Sequence, residues 1–527
     1  MTKNRRRLGA LVLLLLAGLA ASVLMFQITD YGPGVSPDSV IYIETARNLL
    51  AGDGFYIEQR PMTHFPPAYP LLLAVAGLLQ HGDILQAGRL LCVFFFGANV
   101  VLFGLAVQLS TEYSWSATIC SILFFLCSAP IFSIHSMAWS EAPLIAFTLA
   151  AYILVSLYIV RPRRHVLLAV SLCVGCAMAT RYLGVTLLPP IILGLLLTDR
   201  PLKHKISESF LVVIIASLPL ATWLIRNIMT TGKATSRSFA VHLFGLPHAA
   251  QLIGTMYDMF LPISLPGWRK ILQLGVAGIL FLMTLALLRN KYHIEHYIRR
   301  HAGAVHIVLP ALCVAFFITY ISSLVISISF FDAFTPLRHR ILLPALLAIT
   351  VAGISSAWSL SSALASRRVW YAFVLFVSLS AIINGTRSLD TMVNTYRNGN
   401  GYTSQQWQSS ETIAAVQSLP TDMEIYSNGQ DVIQFLTGRA ASFVPPTAFP
   451  GTLQRNLGFE EELQTICGKV TEGKAVIVYL NGIPWRWYEP TQEEVKSKCS
   501  LEILASLDDG TIYAQQQAQT EPGTGLP

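Results

Sequence analysis

Residues 3–7 read Lys3-Asn4-Arg5-Arg6-Arg7, and residues 8–26 read LGALVLLLLAGLAASVLMF. A basic cluster followed by an unbroken apolar run marks a signal peptide or a signal anchor. This run is longer than a cleaved signal needs and further apolar segments follow at once, which favours the anchor. Those segments cover about 84–109, 115–130, 139–160, 166–180, 183–198, 207–227, 271–288, 304–328, 339–357 and 370–386. With the first they make about eleven membrane crossings at roughly 20 residues each, several of them short. The composition demands lipid as a solvent: of 527 residues 53% are hydrophobic and only 12% charged, and mean hydropathy is +0.55.

Charge is split along the chain. Residues 1–387 hold 28 basic and 13 acidic side chains, and residues 388–527 hold 8 and 16. The basic residues sit in short clusters between apolar runs: the N-terminal arginines, Arg161-Pro162-Arg163-Arg164, Arg200 to Lys205, Arg289 to Arg300, and Arg367-Arg368. They fall on alternate loops, as the positive-inside rule requires, so they are topology signals and not a nucleic-acid surface. The rule puts 27–83, 131–138, 228–270, 329–338 and everything after Arg387 on the outer face.

The first outer loop, about 27–83, contains two helix starts. Ser36-Pro37-Asp38 offers an N-cap, a proline at the first helical position and an acid in the first turn, with Gly52 as a stop. Its apolar positions Ile41, Ala46, Leu49 and Leu50 suit a helix lying in the membrane interface. Pro66-Pro67-Ala68-Tyr69-Pro70 leads into a second juxtamembrane helix over Leu71–Leu79. The resulting fold class is a polytopic α-helical membrane protein, with a membrane domain over 1–390, a small C-terminal α/β soluble domain over 391–514 and a disordered tail over 515–527. In the soluble part, Glu411–Leu419 and Thr491–Cys499 read as helices, and Glu424–Ser427 and Lys474–Leu480 as strands. Six of the eight cysteines lie in apolar runs. Cys467 and Cys499 are the pair in the polar tail, and in an oxidising compartment they could form one disulfide.

Charged residues near one membrane boundary are the candidates for chemistry: Asp38, Glu141, Arg181 with Tyr182, Arg338 and Arg340, and His64 in the first loop. Ions at such depth are costly unless they face a cavity or a partner. Each also has a reading without chemistry. Asp38 complements a helix dipole, Glu141 salt-bridges an arginine, Arg181 and Arg340 snorkel to the interface, and His64 is structural or a substrate contact.

These residues lie in motifs that resemble the GT-C glycosyltransferases, closest to the protein O-mannosyltransferase and aminoarabinose transferase branch. The motifs are Ser36-Pro37-Asp38-Ser39, Tyr42 to Leu49, His64-Phe65-Pro66-Pro67-Ala68-Tyr69-Pro70, Trp139-Ser140-Glu141, Thr180-Arg181-Tyr182 and Arg338-His339-Arg340-Ile341-Leu342-Leu343-Pro344. The resemblance covers roughly residues 1–390 and rests on their order. It implies an inverting transfer of a sugar from a polyprenyl-phosphate carrier to a lipid, glycan or protein acceptor on the outer face. Asp38 would be the general base and Glu141 the second acid. Arg181, Tyr182, Arg338, Arg340 and His64 would bind the substrate or its lipid phosphate. No cofactor is called for, although Asp38 and Glu141 could share a divalent metal. The setting that fits is a bacterial inner membrane with a cytoplasmic N-terminus and a periplasmic soluble domain, since no endoplasmic reticulum retention signal ends the chain. Three alternatives remain open: a transporter or lipid flippase, a ligase or polymerase using a diphosphate-linked donor, and a membrane-anchored sensor.

Overall fold

The structure, a computed structural model, describes residues 3–57, 60–262, 303–499 and 501–514. Among these, seven helices are long and apolar enough to cross a membrane, those beginning at Lys3, Ile84, Glu141, Leu202, Val305, His339 and Arg367. An eighth crossing arises if Trp115–Leu126 and Ala129–His135, bent by 63° at their junction, count as one. Arg164–Thr180 and the Tyr182–Leu196 segment stand where the two shorter runs are expected. The expected span 271–288, the basic cluster at 289–300 and the tail 515–527 lie outside the described residues.

The first helix, Lys3–Ile28, is built into the bundle against Ile84–Ser110. Small residues permit the approach: a Cβ on Gly97 would stand 2.6 Å from the Gly18 carbonyl oxygen. Across the same contact Gln108 Nε2 donates to the Ala10 carbonyl at 2.8 Å and Ser22 Oγ to that of Val93 at 3.0 Å. On the opposite side Leu8, Leu16 and Leu19 are exposed, as lipid-facing residues are.

The loop helix Pro37–Ala51 begins and ends at the residues expected, with Ser36 extended and Gly52 left-handed at φ 92°. Its setting differs from expectation. Val40, Tyr42, Ile43 and Ala46 are buried, and they share one core with Tyr69 and Leu73 of the Ala68–Leu79 helix and with Ile433, Val476 and Val478 of the tail. The helix is sandwiched between bundle and tail instead of lying on the bilayer, because its bulkiest face, centred on Tyr42 and Ile43, has protein to pack against.

The last membrane helix, Arg367–Asn398, runs past the expected boundary at 390 before the chain turns at Gly399. Beyond it lies a five-stranded mixed sheet in the order Ser442–Phe443, Glu424–Ser427, Ala475–Leu480, Gly510–Ala514, Glu502–Leu507. The first three strands are parallel and the last two antiparallel. Ala475–Leu480 is buried throughout, which explains its unbroken apolar reading. One sheet face packs on the Phe459–Thr471 helix, the other on the core shared with the loop helix.

Cys467 and Cys499 are disulfide-bonded at a sequence separation of 32. Loop-closure entropy gives such a bridge roughly 3–4 kcal/mol. The double variant Cys467→Ser/Cys499→Ser should therefore lower the denaturant midpoint of the tail, followed by its proteolysis in the full chain. Glu489 supplies a second test. Burial, against the pull of Arg486, pushes its carboxyl up to about 8 from an ordinary 4.5. The folded tail then holds a proton that the unfolded chain releases above the ordinary value, so tail stability should fall as pH rises from about 4.5 to about 8. Glu489→Gln should flatten that slope in the same proteolysis measurement.

Candidate active site

Three helices begin at one point. Asp38 is in the first turn of Pro37–Ala51, Glu141 opens Glu141–Val160, and Arg340 is in the first turn of His339–Ala363. A fourth side chain arrives from the extended corner at Arg181, which ends Arg164–Thr180. Helix N-termini carry positive partial charge, which favours the two acids and any further anion brought there.

The Gly34–Val35 stretch sets the register. Gly34 N–H donates to the Ser136 carbonyl at 2.8 Å and the Ala138 N–H to Gly34 at 2.9 Å, tying the Asp38 loop to the entry into the Glu141 helix. On the other side Tyr402 N–H donates to the Val35 carbonyl at 2.8 Å. Gly401 sits there at φ 59°, where a Cβ would stand 2.1 Å from the Val35 oxygen, so both the turn and the approach require glycine.

Arg340 bridges the two acids. Its Nη2 donates to Asp38 Oδ2 and its Nε to Glu141 Oε1, both at 2.6 Å. Arg181 Nη1 donates to the same Glu141 oxygen at 2.6 Å and to Ser140 Oγ at 3.2 Å. The Glu141 side chain is 2% exposed and that of Asp38 31%. Burial pushes the Asp38 carboxyl up, but the Arg340 and Arg181 charges outweigh it and hold it below its ordinary value, so Asp38 is ionised at neutral pH. Glu141 Oε2 is buried with no hydrogen-bond partner among the described residues.

The remaining expected residues divide. Tyr182 donates from its hydroxyl to the Thr63 carbonyl at 3.3 Å, bracing the loop that carries His64. His64 pairs through Nδ1 with Ser236 Oγ at 2.8 Å, and burial lowers its pKa while the nearby Asp38 charge raises it. Arg338 is exposed at the N-cap of its helix and does not enter the cluster. Among the described residues no three or more His, Cys, Asp or Glu side chains gather as a metal-binding set.

Four participants, Ser36, Tyr42, Trp139 and Ser140, were not on the list of candidates. The Arg340 guanidinium lies 4.0 Å from the centre of the Trp139 ring, whose Nε1 donates to Ser36 Oγ at 2.7 Å. This engages the hydroxyl at the N-cap, and the Ser36 side chain makes no cap bond to its own helix. The Tyr42 hydroxyl pairs with Ser140 Oγ at 3.1 Å. Tyr42 stands four residues after Asp38, one turn along the same face, and that spacing was the available signal.

The difference in burial makes a prediction. Breaking a buried pair costs roughly 3–5 kcal/mol, whereas a partly exposed partner is worth less. Glu141→Gln should lower the unfolding temperature of the detergent-solubilised protein clearly more than Asp38→Asn does.

No protein-family model matches the chain, and no curated protein matches it in sequence. Solved structures do. The crystal structure of ArnT from Cupriavidus metallidurans bound to undecaprenyl phosphate superposes with a TM-score of 0.57 at 14% identity, covering 97% of this chain and 99% of that one. Its apo form gives 0.56 at 15% identity, covering 95% and 97%. The archaeal oligosaccharyltransferase AglB from Archaeoglobus fulgidus, in complex with an inhibitory peptide and a dolichol-phosphate, gives 0.50 at 12% identity, covering 89% and 69%. The chain is a polytopic helical membrane protein whose fold is similar to that of ArnT over nearly its whole length.

Proposed function

We propose that the protein is a membrane glycosyltransferase that moves a sugar from a polyprenyl-phosphate carrier to an acceptor hydroxyl at the outer face of the membrane. The observation that carries this reading is the cluster of two carboxylates and two arginines at three converging helix starts. The fold likeness to ArnT, crystallised with undecaprenyl phosphate, supports it.

The acceptor oxygen attacks the anomeric carbon while the bond from that carbon to the phosphate oxygen breaks. The acceptor proton passes to Asp38, and the electron pair leaves with the lipid phosphate. Positioned general-base catalysis of this kind contributes about a hundred- to ten-thousandfold. Arg340 and Arg181 receive the growing phosphate charge, which planar guanidinium donors bind bidentately. Arg340 is shared with Asp38 before the donor arrives, and drawing it toward the phosphate frees the Asp38 carboxylate for the proton. Glu141, deeper and held by both arginines, keeps them in place. Tyr182, by bracing the Thr63 carbonyl, positions the loop that carries His64.

The course of the helices supports a sidedness. Glu141–Val160 starts at the site, so Arg161 to Arg164 lie at its far end; His339–Ala363 likewise leads away toward Arg367 and Arg368. Basic clusters remote from the site support a cytoplasmic N-terminus and a periplasmic tail in a bacterial inner membrane.

Purified protein in vesicles, given a panel of labelled monosaccharide polyprenyl phosphates, should release polyprenyl phosphate from one of them. Asp38→Asn should lower that rate about a hundred- to ten-thousandfold while donor binding persists. Intact donors across the panel, with lipid or solute crossing the bilayer instead, would replace this reading with transport.

A further inference from the structure

We infer that the Trp485–Tyr488 loop of the tail is a membrane-interface anchor, with Trp485 and Trp487 seated among the headgroups and upper acyl chains of the leaflet at the site end of the bundle. The inference needs only that the chain spans a membrane and is independent of the transfer reaction.

The loop alternates in burial. Trp485 is 47% and Trp487 50% exposed, while Arg486 between them is 7% exposed. Arg486 is held from within: Nη2 donates to Asp431 Oδ1 at 2.7 Å, Nη1 to the Asn428 carbonyl at 2.5 Å, and the guanidinium lies 5.0 Å from the Phe443 ring centre. A buried arginine held at both of its terminal nitrogens pins the backbone with both indoles facing outward. That is an expensive way to expose two large apolar rings to water.

Depth is given by what the loop touches. Trp487 packs on Phe334 at 5.6 Å, and Phe334 follows directly on the helix Val305–Phe330, which is long and apolar enough to span. Beside it, Phe239 stacks on Phe330 at 5.9 Å, and Ala240 N–H donates to the Phe330 carbonyl at 3.0 Å. The tail is tied at the same level, because Ala333 N–H donates to the Gly451 carbonyl at 3.1 Å and His242 Nε2 pairs with the Thr452 carbonyl at 2.6 Å. Two exposed aromatic pairs, Phe239 with Phe331 and Phe334 with Trp487, thus stand near the end of a span, and Trp485 is exposed two residues from Trp487. Amphipathic aromatics favour that boundary, and exposed rings gathered near it call for a covering surface. Charge selects lipid contact by aromatics over a basic tether, since residues 388–527 hold 16 acidic and 8 basic side chains and Arg486 is turned inward.

The test is tryptophan emission of the full chain in phosphatidylcholine vesicles, with and without bromine on the upper acyl carbons. The difference spectrum between wild type and Trp485→Phe/Trp487→Phe isolates the two indoles. Trp485→Phe alone serves as the milder variant, because Trp485 stacks on no ring among the described residues. The expected difference spectrum is blue-shifted, loses most of its intensity in brominated vesicles and is insensitive to salt. A red-shifted spectrum with no bromine quenching would overturn the anchor in favour of a solvated loop. Emission unaffected by bromine but shifting with protein dilution would overturn it in favour of a second copy of the chain.

Discussion

A carboxylate within an apolar bundle has to be neutralised by cations or be lost, and Glu141, with a side chain 2% exposed, is neutralised by two arginines on a single oxygen. Removing either cation would strand a charge at a cost of several kcal/mol, so the bundle around it has little freedom. Arg181 requires the Arg164–Thr180 helix to end at one height, and Arg340 requires His339–Ala363 to begin at the same height. Arg340 then reaches Asp38, 302 residues away in sequence, and brings the loop helix to the same point. Four segments thereby acquire a fixed register.

The second constraint acts from outside the bundle. The Gly34–Val35 stretch that delivers Asp38 is hydrogen-bonded on one side to the entry into the Glu141 helix and on the other to the start of the tail. The core beneath it is common property: Tyr42 and Ile43 of the loop pack in one cluster with Val476 and Val478 of the tail sheet. The tail is therefore a wall of the site region, and the position of Asp38 depends on how the sheet sits. A domain that merely hung from the last helix would leave the Tyr42 face without a partner.

This division explains what could be read from the sequence. Spans are legible because roughly 20 apolar residues in a row have one solution in lipid, and the basic clusters are legible because they sit on alternate loops. Ser36-Pro37-Asp38 is legible as a helix start because a proline at the first helical position and an acid in the first turn are local signals. The face that helix buries was not legible: Ile41 and Leu49 looked as apolar as Val40 and Ile43, and only the presence of the tail decides between them. Arg338 and Arg340 are equivalent on paper, yet one is an exposed N-cap and the other, two positions on, is turned into the site. Trp139 stands in a recognised motif, but its role is not legible for a similar reason, since an aromatic at a span entrance is ordinary and its pairing with Arg340 is a long-range fact. In the tail, Glu502–Leu507 is not legible because an exposed edge strand lacks the apolar run that reveals Ala475–Leu480, and the interior strand Gly510–Ala514 is only five residues long with Gly510 and Thr511 at its start.

The same reasoning accounts for a fold shared with ArnT at 14–15% identity. A position facing lipid has to be apolar and little else, so Leu8, Leu16 or Leu19 could be exchanged for other aliphatic residues without moving the helix. Interior positions are restricted by volume, and close helix contacts such as Gly18 with Gly97 by the absence of a side chain. The strictest demands fall on the few side chains whose charge must be matched at a set distance. Two arginines meet Glu141 at 2.6 Å and one of them meets Asp38 at 2.6 Å, a geometry that lysine, with a single ammonium, could not reproduce. Sequence information in such a protein is thus concentrated at one end of the bundle, where water, lipid headgroups and a charged cluster meet, and whole-chain identity dilutes it with hundreds of positions that lipid alone constrains.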